Sequence, residues 1–561
     1  MEAVICAAIK DALVELGLPE VVFSIEHPKI LDHGDYACNI AMVLGKQVGQ
    51  APRTLAEQIL AKLQGQIEYV ERIEIAGPGF LNFYLSRDLF SAEAVRVLQL
   101  GDTWGKNDSW SDKKVVVEYT DPNPFKEFHI GHLFTNAVGE SIARLFMMNG
   151  AEVKRVCYQG DVGLHVAYAL WGMQELGITA QSDFTAKDLG RAYALGATTY
   201  KNDESKQEMI RSINKAVYDR SNEELNALYD AGRTISLAYF ETIYQTVGTK
   251  FDEYFFESEA GPRGKQLVLD NPTHFGESDG ARVFKGEDYG LHTRVFLNKE
   301  GLPTYEAKEL ALAKMKEEKL GVYDHSVIST AKEINEYFKV LLKAMSFVYP
   351  DLAAKTEHIG HGMVRLTTGK MSSRTGDVIP ALEFIEDVAA TARERIDASG
   401  VSRATDTLAT QIAVAAIKYA TLKGSIFQDS VFDKEKALSF EGDSGPYLQY
   451  TYARCLSVLE KARDVGIEPQ LAPAPEVPYV LERILYRFPE AVEEALDERA
   501  PHTVVTYLTE LAGEFNSFYA HEMIADASDI YAPYKTLLTS AVATTLKNGL
   551  WVLGIEAPER L

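Results

Sequence analysis

The chain has 561 residues, which predicts several domains because one domain usually contains about 100 to 200 residues. Asp and Glu total 81 against 57 Lys and Arg, so the formal net charge at pH 7 is −24. This charge excludes a protein that coats nucleic acid without selectivity, but it allows a local basic groove. Because 46% of the residues are hydrophobic, a mainly disordered chain is excluded as well.

The cysteine content and the start of the chain indicate the compartment. The four cysteines lie far apart in sequence, so they provide neither a Cys-x-x-Cys pair nor a dense disulfide framework. Residues 1–17 have apolar side chains at helical spacing with charged residues between them, which predicts an amphipathic helix and not a signal peptide. No window approaches about 18 uninterrupted apolar residues. We therefore expect a cytoplasmic protein without a membrane partner.

The first hundred residues have the pattern of a small α+β domain. Helical segments are followed by two apolar runs within residues 73–84, and a Gly-Pro-Gly turn separates these runs. A polar stretch, residues 101–114, follows. We expect an N-terminal domain over residues 1–100 and a domain boundary within the polar stretch.

The next segment has the pattern of a βαβ unit. A β-branched strand at 115–119 is followed by a Pro- and Asn-rich loop, a helix from about 131 to 148 and a strand at 153–158. Such units bind nucleotides at the carboxyl ends of their strands. The pattern predicts a Rossmann-type parallel-sheet catalytic core over residues 112–380, with a helical insertion at about 173–280.

The remainder, residues 381–561, is helix after helix and predicts an α-helical bundle. The expected fold class is therefore α/β multidomain, with an N-terminal α+β domain, a Rossmann-type core and a C-terminal bundle. The insertion is mainly helical and charged, so we expect it to be a connecting subdomain. A glycine-containing stretch, Gly261–Gln266, resembles a phosphate loop but lacks its spacer and its hydroxyl, so we expect a surface turn.

A first motif, Phe128-His129-Ile130-Gly131-His132, lies where the strand pattern gives way to the helix. Backbone N–H groups and the positive end of the helix dipole meet there, glycine permits close approach, and two imidazoles can donate to phosphate oxygens. Two alternatives remain open: the histidines only cap the helix, or they bind a metal. No third metal ligand lies nearby in sequence, so we expect no metal site.

A second motif, Gly369–Gly376, is a loop rich in small and hydroxyl residues that contains Lys370 and Arg374. Its cations are suited to a pyrophosphate leaving group, because they would supply charge mainly in the transition state. Taken alone, this segment is equally consistent with an ordinary exposed turn.

The two motifs, in this order and about 240 residues apart, resemble the paired signatures of class I aminoacyl-tRNA synthetases. The first matches His-Ile-Gly-His. The second departs from Lys-Met-Ser-Lys-Ser, because Ser373 stands where the second lysine is usual and Arg374 follows. This form resembles the variant found in one subfamily, the arginyl-tRNA synthetases.

Segments along the rest of the chain resemble the same family. Residues 34–41 and 76–83 are similar to its N-terminal domain, which implies contact with the tRNA elbow. Residues 437–450 resemble the start of its anticodon-binding domain, and residues 553–561 resemble its usual ending, with Leu561 in place of the common methionine. The resemblance therefore covers nearly the whole chain.

The resemblance implies two steps: the carboxylate of L-arginine attacks the α-phosphate of ATP, supplied with Mg²⁺, and the arginyl group then passes to the 3′ end of tRNA specific for arginine. It also implies that activation needs bound tRNA and that the enzyme is a monomer. The implied catalytic residues are His129, His132, Lys370 and Arg374. The implied ATP ligands are Phe128, His129, Gly131, His132, Met363, Val364, Lys370, Met371 and Ser372. The implied arginine ligands are Glu118, Asn123, His129, Tyr305 and Glu309. The implied tRNA contacts are Phe80, Asn82, Tyr450 and Arg454.

Several of these assignments have simpler alternatives. Without the resemblance, the sequence favours a strand-end carboxylate facing water for Glu118 and a core aromatic residue with a solvated hydroxyl for Tyr305. Phe80 and Tyr450 are equally consistent with core packing. Two positions depart from the family pattern, because Glu309 stands where Asp is usual and His165 stands where Gln is common.

Two other functions remain open. One is a class I synthetase for another amino acid, which the N-terminal domain and the proposed arginine ligands argue against. The other is a catalytically silent tRNA-binding relative, which would have no need to keep both phosphate motifs recognisable.

Overall fold

In the computed structural model, the described residues are 1–367, 379–398 and 405–561. They divide into two compact units. The first unit contains Met1–Trp104, Val458–Arg487 and Glu514–Thr544. The second contains Gly105–Ser457, Phe488–Gly513 and Thr545–Leu561.

The N-terminal part of the first unit combines helices with one antiparallel sheet. Its elements are α1 (Glu2–Glu15), β1 (Ile25–Glu26), β2 (Tyr36–Cys38), α2 (Ile40–Val48), α3 (Pro52–Leu63), β3 (Val70–Ala76), β4 (Phe80–Leu85) and α4 (Arg87–Leu100). The strands have the order β1-β2-β4-β3. The predicted amphipathic helix is confirmed as α1, which buries Ile5, Ile9, Ala12 and Leu13 at helical spacing.

The second unit contains the catalytic-core pattern. Its first half comprises β5 (Lys114–Glu118), α5 (Ile130–Met148), β6 (Glu152–Gln159), α6 (Leu164–Glu175), α7 (Ala186–Asn202), α8 (Glu204–Asp219), α9 (Glu223–Thr246), β7 (Glu253–Phe256), α10 (Glu257–Asp270), β8 (Gly276–Ser278), β9 (Ala281–Phe284) and β10 (Arg294–Leu297). It continues with α11 (Tyr305–Leu320), β11 (His325–Ala331), α12 (Asn335–Val348), α13 (Pro350–Ala354), β12 (Thr356–His361), β13 (Val364–Leu366), α14 (Ala381–Ala398), α15 (Asp406–Leu422), β14 (Ser430–Phe432) and α16 (Lys434–Ala437).

The C-terminal region is helical, as the sequence pattern predicts. Its elements are α17 (Gly445–Asp464), α18 (Val480–Leu485), α19 (Phe488–Asp497), α20 (Pro501–His521) and α21 (Ala532–Val552). Helices α17, α20 and α21 contribute residues to both units. Short 3₁₀ turns occur at Leu31–His33, Gly101–Thr103, Gly286–Tyr289 and Lys332–Ile334. Within the described residues, no helix has the length and apolar character needed to cross a membrane.

A five-stranded parallel sheet forms the centre of the second unit, with the strand order β12-β11-β5-β6-β7. Glu118 at the end of β5 pairs in register with Val156 of β6 and Ile328 of β11. Side chains alternate between the faces of a strand, so Glu118 and Tyr158 lie on one face and Tyr119 on the other. The predicted fold class, with its Rossmann-type sheet, N-terminal antiparallel sheet and C-terminal helices, is confirmed.

One local expectation was wrong, and one strand was not anticipated. Within the mainly helical insertion at about 173–280, Glu253–Phe256 forms β7, the edge strand of the parallel sheet. This strand has only 4 residues, too few to show an alternating pattern. Gly261–Gln266 is not a surface turn but part of α10. Gly264 is required there, because a Cβ atom would lie 2.2 Å from the carbonyl oxygen of Ala307 in α11.

Candidate active site at the start of helix α5

The loop between β5 and α5 has an unusual backbone. Thr120, Asp121 and Phe125 have φ angles of 82°, 44° and 66°, a region that residues other than glycine seldom adopt. Asn136 of α5 donates to Thr120 Oγ1 at 3.0 Å, and the backbone N–H of Tyr158 donates to Asp121 Oδ1 at 2.7 Å. These bonds fix the loop in a conformation that costs about 1 to 3 kcal/mol for each such residue, and strain of this kind is concentrated at functional sites.

His129 and His132 form a stacked pair at the start of α5. His129 is the N-cap residue, and its Nδ1 accepts from the backbone N–H of Gly131 at 3.1 Å. Nδ1 of His132 accepts from the backbone N–H of His129 at 3.3 Å. The two ring centroids are 3.7 Å apart with an interplanar angle of 20°. Because Nδ1 is an acceptor in both rings, each neutral ring carries its proton on Nε2.

Both rings are neutral near pH 7. Burial, reinforced by the charge of Lys126, lowers the pKa of His129 to about 4. Burial, followed by the charges of His129 and Lys126, lowers the pKa of His132 well below its usual value. The start of α5 therefore presents two neutral Nε2–H donors together with the positive end of the helix dipole. This arrangement is suited to phosphate oxygens.

The backbone that follows residues 368–378 contacts the start of α5. The carbonyl oxygen of Ile379 accepts from the N–H of Ile130 at 3.2 Å, and the N–H of Ala381 donates to the carbonyl oxygen of Phe128 at 2.8 Å. Pro380 forms an isolated antiparallel bridge with His129. The second motif ends shortly before these anchors in sequence, and its residues Lys370, Met371, Ser372 and Arg374 lie outside the described residues.

Met363 and Val364, the other expected ATP ligands, lie just after β12. The backbone N–H of Met363 donates to Asp429 Oδ1 at 2.9 Å, and Val364 begins β13. His361, at the end of β12, places Nε2 3.1 Å from Thr135 Oγ1 in the second turn of α5. The structure therefore brings this segment to the same helix that carries His129.

Glu118 is buried, so the alternative of a strand-end carboxylate facing water is wrong. Glu118 is 1% exposed. Its Oε2 forms an ion pair with Nζ of Lys316 at 2.6 Å, and the lysine side chain is 2% exposed. Lys316 was missed by the sequence analysis. The available signal was its spacing, because Lys316 lies seven residues after Glu309, on the same face of α11.

Glu309 lies in a region of the fold crowded with carboxylates. Burial and then the charge of Glu118 raise its pKa well above the usual value, although Lys316 acts in the opposite direction. The pKa of Asp121 is also raised well above its usual value, by burial and then by Glu118. An arriving cation would allow these carboxyl groups to ionise. The site is therefore suited to a positively charged side chain.

Tyr305 and Asn123 lie beside a second buried ion pair. Tyr305 is 56% exposed, so the alternative of a core aromatic residue is wrong. Lys308 Nζ lies 5.3 Å from the centroid of the Tyr305 ring and 2.6 Å from Glu257 Oε2. Asn123 packs against the turn after β6, where a Cβ atom on Gly160 would lie 2.2 Å from Asn123 Oδ1. Glycine at 160 is therefore needed for this placement of the amide.

His165 contacts the turn that follows β6. Its Nε2 lies 2.7 Å from the carbonyl oxygen of Gly160, and burial, reinforced by the charge of Lys126, lowers its pKa to about 3. The ring is neutral and donates to that carbonyl. Next to it, Asp161 accepts from Arg233 Nε at 2.8 Å. These two side chains hold the turn on which Asn123 packs.

The expected tRNA contacts occupy different environments. Phe80 is half-buried at the start of β4, whereas Asn82 is buried, with 5% of its surface exposed. Tyr450 is 37% exposed on α17, which contradicts a core role, and the guanidinium carbon of Arg454 lies 4.7 Å from its ring centroid. Tyr450 and Arg454 are four residues apart, so they share one face of the helix.

Three family models match the chain. Residues 3–85 match the arginyl tRNA synthetase N terminal domain, residues 95–434 the class I (R) tRNA synthetase catalytic domain, and residues 448–561 the DALR anticodon binding domain. An arginine-tRNA ligase of Clostridium perfringens is 30% identical over 98% of both chains. One from Levilactobacillus brevis is 30% identical over 100% of this chain and 99% of the relative.

The solved structure of Thermus thermophilus arginyl-tRNA synthetase is 26% identical, covers 100% of both chains and superposes with a TM-score of 0.82. The sequence relatives and this structure therefore match the chain from end to end, and the catalytic-domain model alone spans more than half of it. The chain belongs to the class I arginyl-tRNA synthetases and has the arginine-tRNA ligase activity of that family.

Proposed function

We propose that arginine is activated at the start of α5 and that this step requires bound tRNA. A carboxylate oxygen of arginine attacks the α-phosphorus of ATP, the bond from that phosphorus to the bridging oxygen breaks, and pyrophosphate leaves. A terminal ribose hydroxyl of the tRNA then attacks the arginyl carbonyl carbon, its proton is lost, and AMP leaves. Positioning and charge stabilisation are sufficient for both steps.

The observation that supports this most strongly is the hydrogen-bond pattern of the histidine pair. Because backbone N–H groups fix Nδ1 of His129 and His132 as acceptors, both Nε2–H groups remain donors. We assign these donors and the N–H of Gly131 to the phosphates of ATP, with Phe128, Met363 and Val364 beside the nucleotide. Donors preset in this way lose no free energy in reorganising as charge develops.

The second motif completes the assignment. We assign Lys370 and Arg374 to the departing pyrophosphate, and Met371 and Ser372 to ATP binding. The support is the sequence of the motif together with the anchoring of Ile379 and Ala381 at the start of α5. Charge supplied there as the pyrophosphate separates would accelerate the chemical step and leave ground-state binding largely unchanged.

The arginine ligands are proposed from the carboxylate region. Glu309 accepts the guanidinium, since a planar group with several N–H donors pairs best with a carboxylate. Glu118, held by Lys316, adds negative charge behind it. Tyr305, Asn123 and His129 contact the remainder of the amino acid.

The tRNA contacts are proposed on each unit separately. Tyr450 and Arg454 form an exposed aromatic and cationic pair, which suits stacking on an unpaired base and contact with a phosphate. Phe80 is the elbow contact in the N-terminal domain. The burial of Asn82 favours a supporting role for this side chain within β4.

Mg²⁺ is proposed to enter as part of the substrate, bound to the phosphates of ATP. Within the described residues, no group of three His, Cys, Asp or Glu side chains is placed to hold a metal ion. We further propose a cytoplasmic monomer with an N-terminal domain over 1–100, a catalytic domain over 112–380 and an anticodon-binding domain over 381–561.

The test is arginine-dependent exchange of pyrophosphate into ATP, with and without tRNA specific for arginine, and with lysine as a competing amino acid. Exchange with arginine only when tRNA is present is the expected result. Exchange without tRNA would remove the tRNA dependence. Absence of exchange under both conditions, with tRNA still bound, would indicate a silent tRNA-binding relative instead.

A further inference from the structure

Two buried tyrosine hydroxyls have no hydrogen-bond partner within the described part of the chain. They belong to Tyr158, which is 6% exposed at the end of β6, and Tyr337, in the first turn of α12. Tyr158 lies in the core cluster between the sheet and helices α11 and α12, and Tyr337 packs against that cluster. A buried polar group normally has a hydrogen-bond partner. A bound ligand would supply the partner that these two hydroxyls lack.

The sheet register places Tyr158 on the face of the sheet that carries Glu118, one of the proposed arginine ligands. Glu118 pairs with Val156, and Tyr158 follows two residues later on the same face, one step closer to the carboxyl edge of the sheet. On α11, Glu309 lies two turns before Lys316, the partner of Glu118. Helix α11 ends near the start of β5, where the N–H of Asp324 donates to the carbonyl oxygen of Lys114. Glu309 and Tyr158 therefore both lie beyond the Glu118–Lys316 pair, towards the carboxyl edge.

The electrostatic interactions agree with this placement. After burial, the charge of Glu309 is the largest influence on the pKa of Tyr337, and on the pKa of Tyr158 it comes second to the charge of Glu257. Burial raises the pKa of both tyrosines well above the usual value, so both hydroxyls stay protonated. The guanidinium carbon of Arg294 lies over the Tyr337 ring, 5.6 Å from its centroid, and Arg294 makes no hydrogen bond to the hydroxyl.

The chemistry of a guanidinium explains why hydroxyls are needed. An arginine side chain has five N–H donors in one plane, and a single carboxylate accepts two of them. In a buried site the remaining donors need other acceptors, because leaving them unbonded costs free energy. A neutral tyrosine hydroxyl next to a carboxylate accepts from the guanidinium and donates its own proton to the carboxylate.

We propose that the hydroxyls of Tyr158 and Tyr337 accept guanidinium N–H groups of the substrate and so determine its specificity. This inference rests on the arginine site proposed around Glu309. The two tyrosines are binding residues, and neither contacts the reacting carboxylate. Their loss therefore affects the binding of arginine and not that of ATP.

The experiment compares Tyr158→Phe and Tyr337→Phe with Tyr323→Phe. Tyr323 is a matched control, because it is 3% exposed, lies in the same cluster and has a partner of its own, the carbonyl oxygen of Ala313 at 3.4 Å. In aminoacylation of tRNA specific for arginine, we expect each of the first two variants to raise the KM for arginine about tenfold or more. The KM for ATP and kcat stay within about twofold, and Tyr323→Phe leaves all three unchanged.

The possible outcomes distinguish a wrong role for the two tyrosines from a wrong arginine site. If Glu309→Gln raises the KM for arginine while both Tyr158→Phe and Tyr337→Phe match Tyr323→Phe, the inference is wrong and the arginine site stands. If Glu309→Gln has no effect either, the arginine site itself is wrong. Melting temperatures identify any poorly folded variant, and the ratio of the two KM values stays valid there because it does not depend on the active fraction.

Discussion

Two glutamates, one on each face of the central sheet, have very different surroundings: Glu140 is fully buried and Glu309 is partly buried. Glu140 of α5, 0% exposed, accepts from Tyr119 at 2.5 Å, from Arg144 Nε at 2.7 Å and from Arg155 Nη1 at 3.1 Å. Glu309, on the face that carries Glu118, has no hydrogen-bond donor to its carboxylate within residues 1–367, 379–398 and 405–561.

Their pKa values move in opposite directions. Burial alone would raise the pKa of Glu140, but the charges of Arg144 and Lys418 outweigh it, and the pKa is lowered. Burial and then Glu118 raise the pKa of Glu309. A carboxylate whose positive partners belong to its own chain stabilises the fold, whereas one surrounded by other carboxylates requires an external cation.

The largest expected effect is the loss of arginine use in Glu309→Gln. Removing the charge that pairs with a buried guanidinium costs about 4 kcal/mol, so kcat/KM for arginine should fall about a thousandfold. The measurement is aminoacylation with arginine and ATP varied separately. Glu318→Gln is the control, because Glu318 lies on the same helix but pairs with Arg263 at the surface. An unchanged kcat/KM would remove Glu309 from the site.

Glu140→Gln should instead destabilise the fold. It leaves the Arg144 and Arg155 charges without their common carboxylate, and breaking a buried pair in this way costs about 3 kcal/mol. Denaturant unfolding of the full chain measures the change in the free energy of unfolding. Glu152→Gln, which removes an exposed carboxylate, provides the baseline. If Glu140→Gln leaves the free energy of unfolding unchanged, Glu140 does not stabilise the fold and the proposed difference between the two glutamates is wrong.

The pH dependence of stability should differ in sign between the same two variants. The raised pKa of Glu309 contributes stability below the ordinary glutamate value of 4.5, and this is lost as the pH rises towards the folded-state pKa. Relative to the parent, Glu309→Gln should therefore gain stability as the pH rises above 4.5. The lowered pKa of Glu140 contributes stability above 4.5, so the deficit of Glu140→Gln should shrink as the pH falls below that value. Parallel curves for both variants would contradict this.

The smallest expected effect concerns the histidines at the start of α5. The pKa of His129, about 4, predicts a neutral ring with its proton on Nε2 throughout the range from pH 6 to 8. Nitrogen chemical shifts of ¹⁵N-histidine-labelled protein measure both the charge and the tautomer, and His129→Ala assigns the resonance. Titration of this ring near pH 6.5 would show that the N-cap histidine is not desolvated.

Much of the fold could be predicted from the sequence, because apolar periodicity reports burial directly. Helix α1 and the unit β5-α5-β6 follow from that pattern alone. Strand β7 was missed because its pairing with β6 depends on register, which a run of four residues does not encode.

The candidate site shows the same limit. His129 and Gly131 were found because they are adjacent in a motif. Lys316 and Tyr337 were missed because their relation to Glu118 and Glu309 exists only after helices α11 and α12 pack on the sheet. Charge spacing on one helix could have indicated Lys316, whereas no local pattern distinguishes Tyr337 from other aromatic residues that pack on a core.

The network around Glu140 also sets an order of events during synthesis. Arg144, which holds Glu140, donates through Nη1 to the carbonyl oxygen of Trp551 at 2.8 Å, a residue 407 positions later in the chain. At about 5 to 20 residues per second, a ribosome needs roughly 20 to 80 seconds to cover that distance. During that time the guanidinium of Arg144 lacks this acceptor. The nascent chain therefore carries α5 well before the carbonyl group of Trp551 that binds Arg144 has been translated.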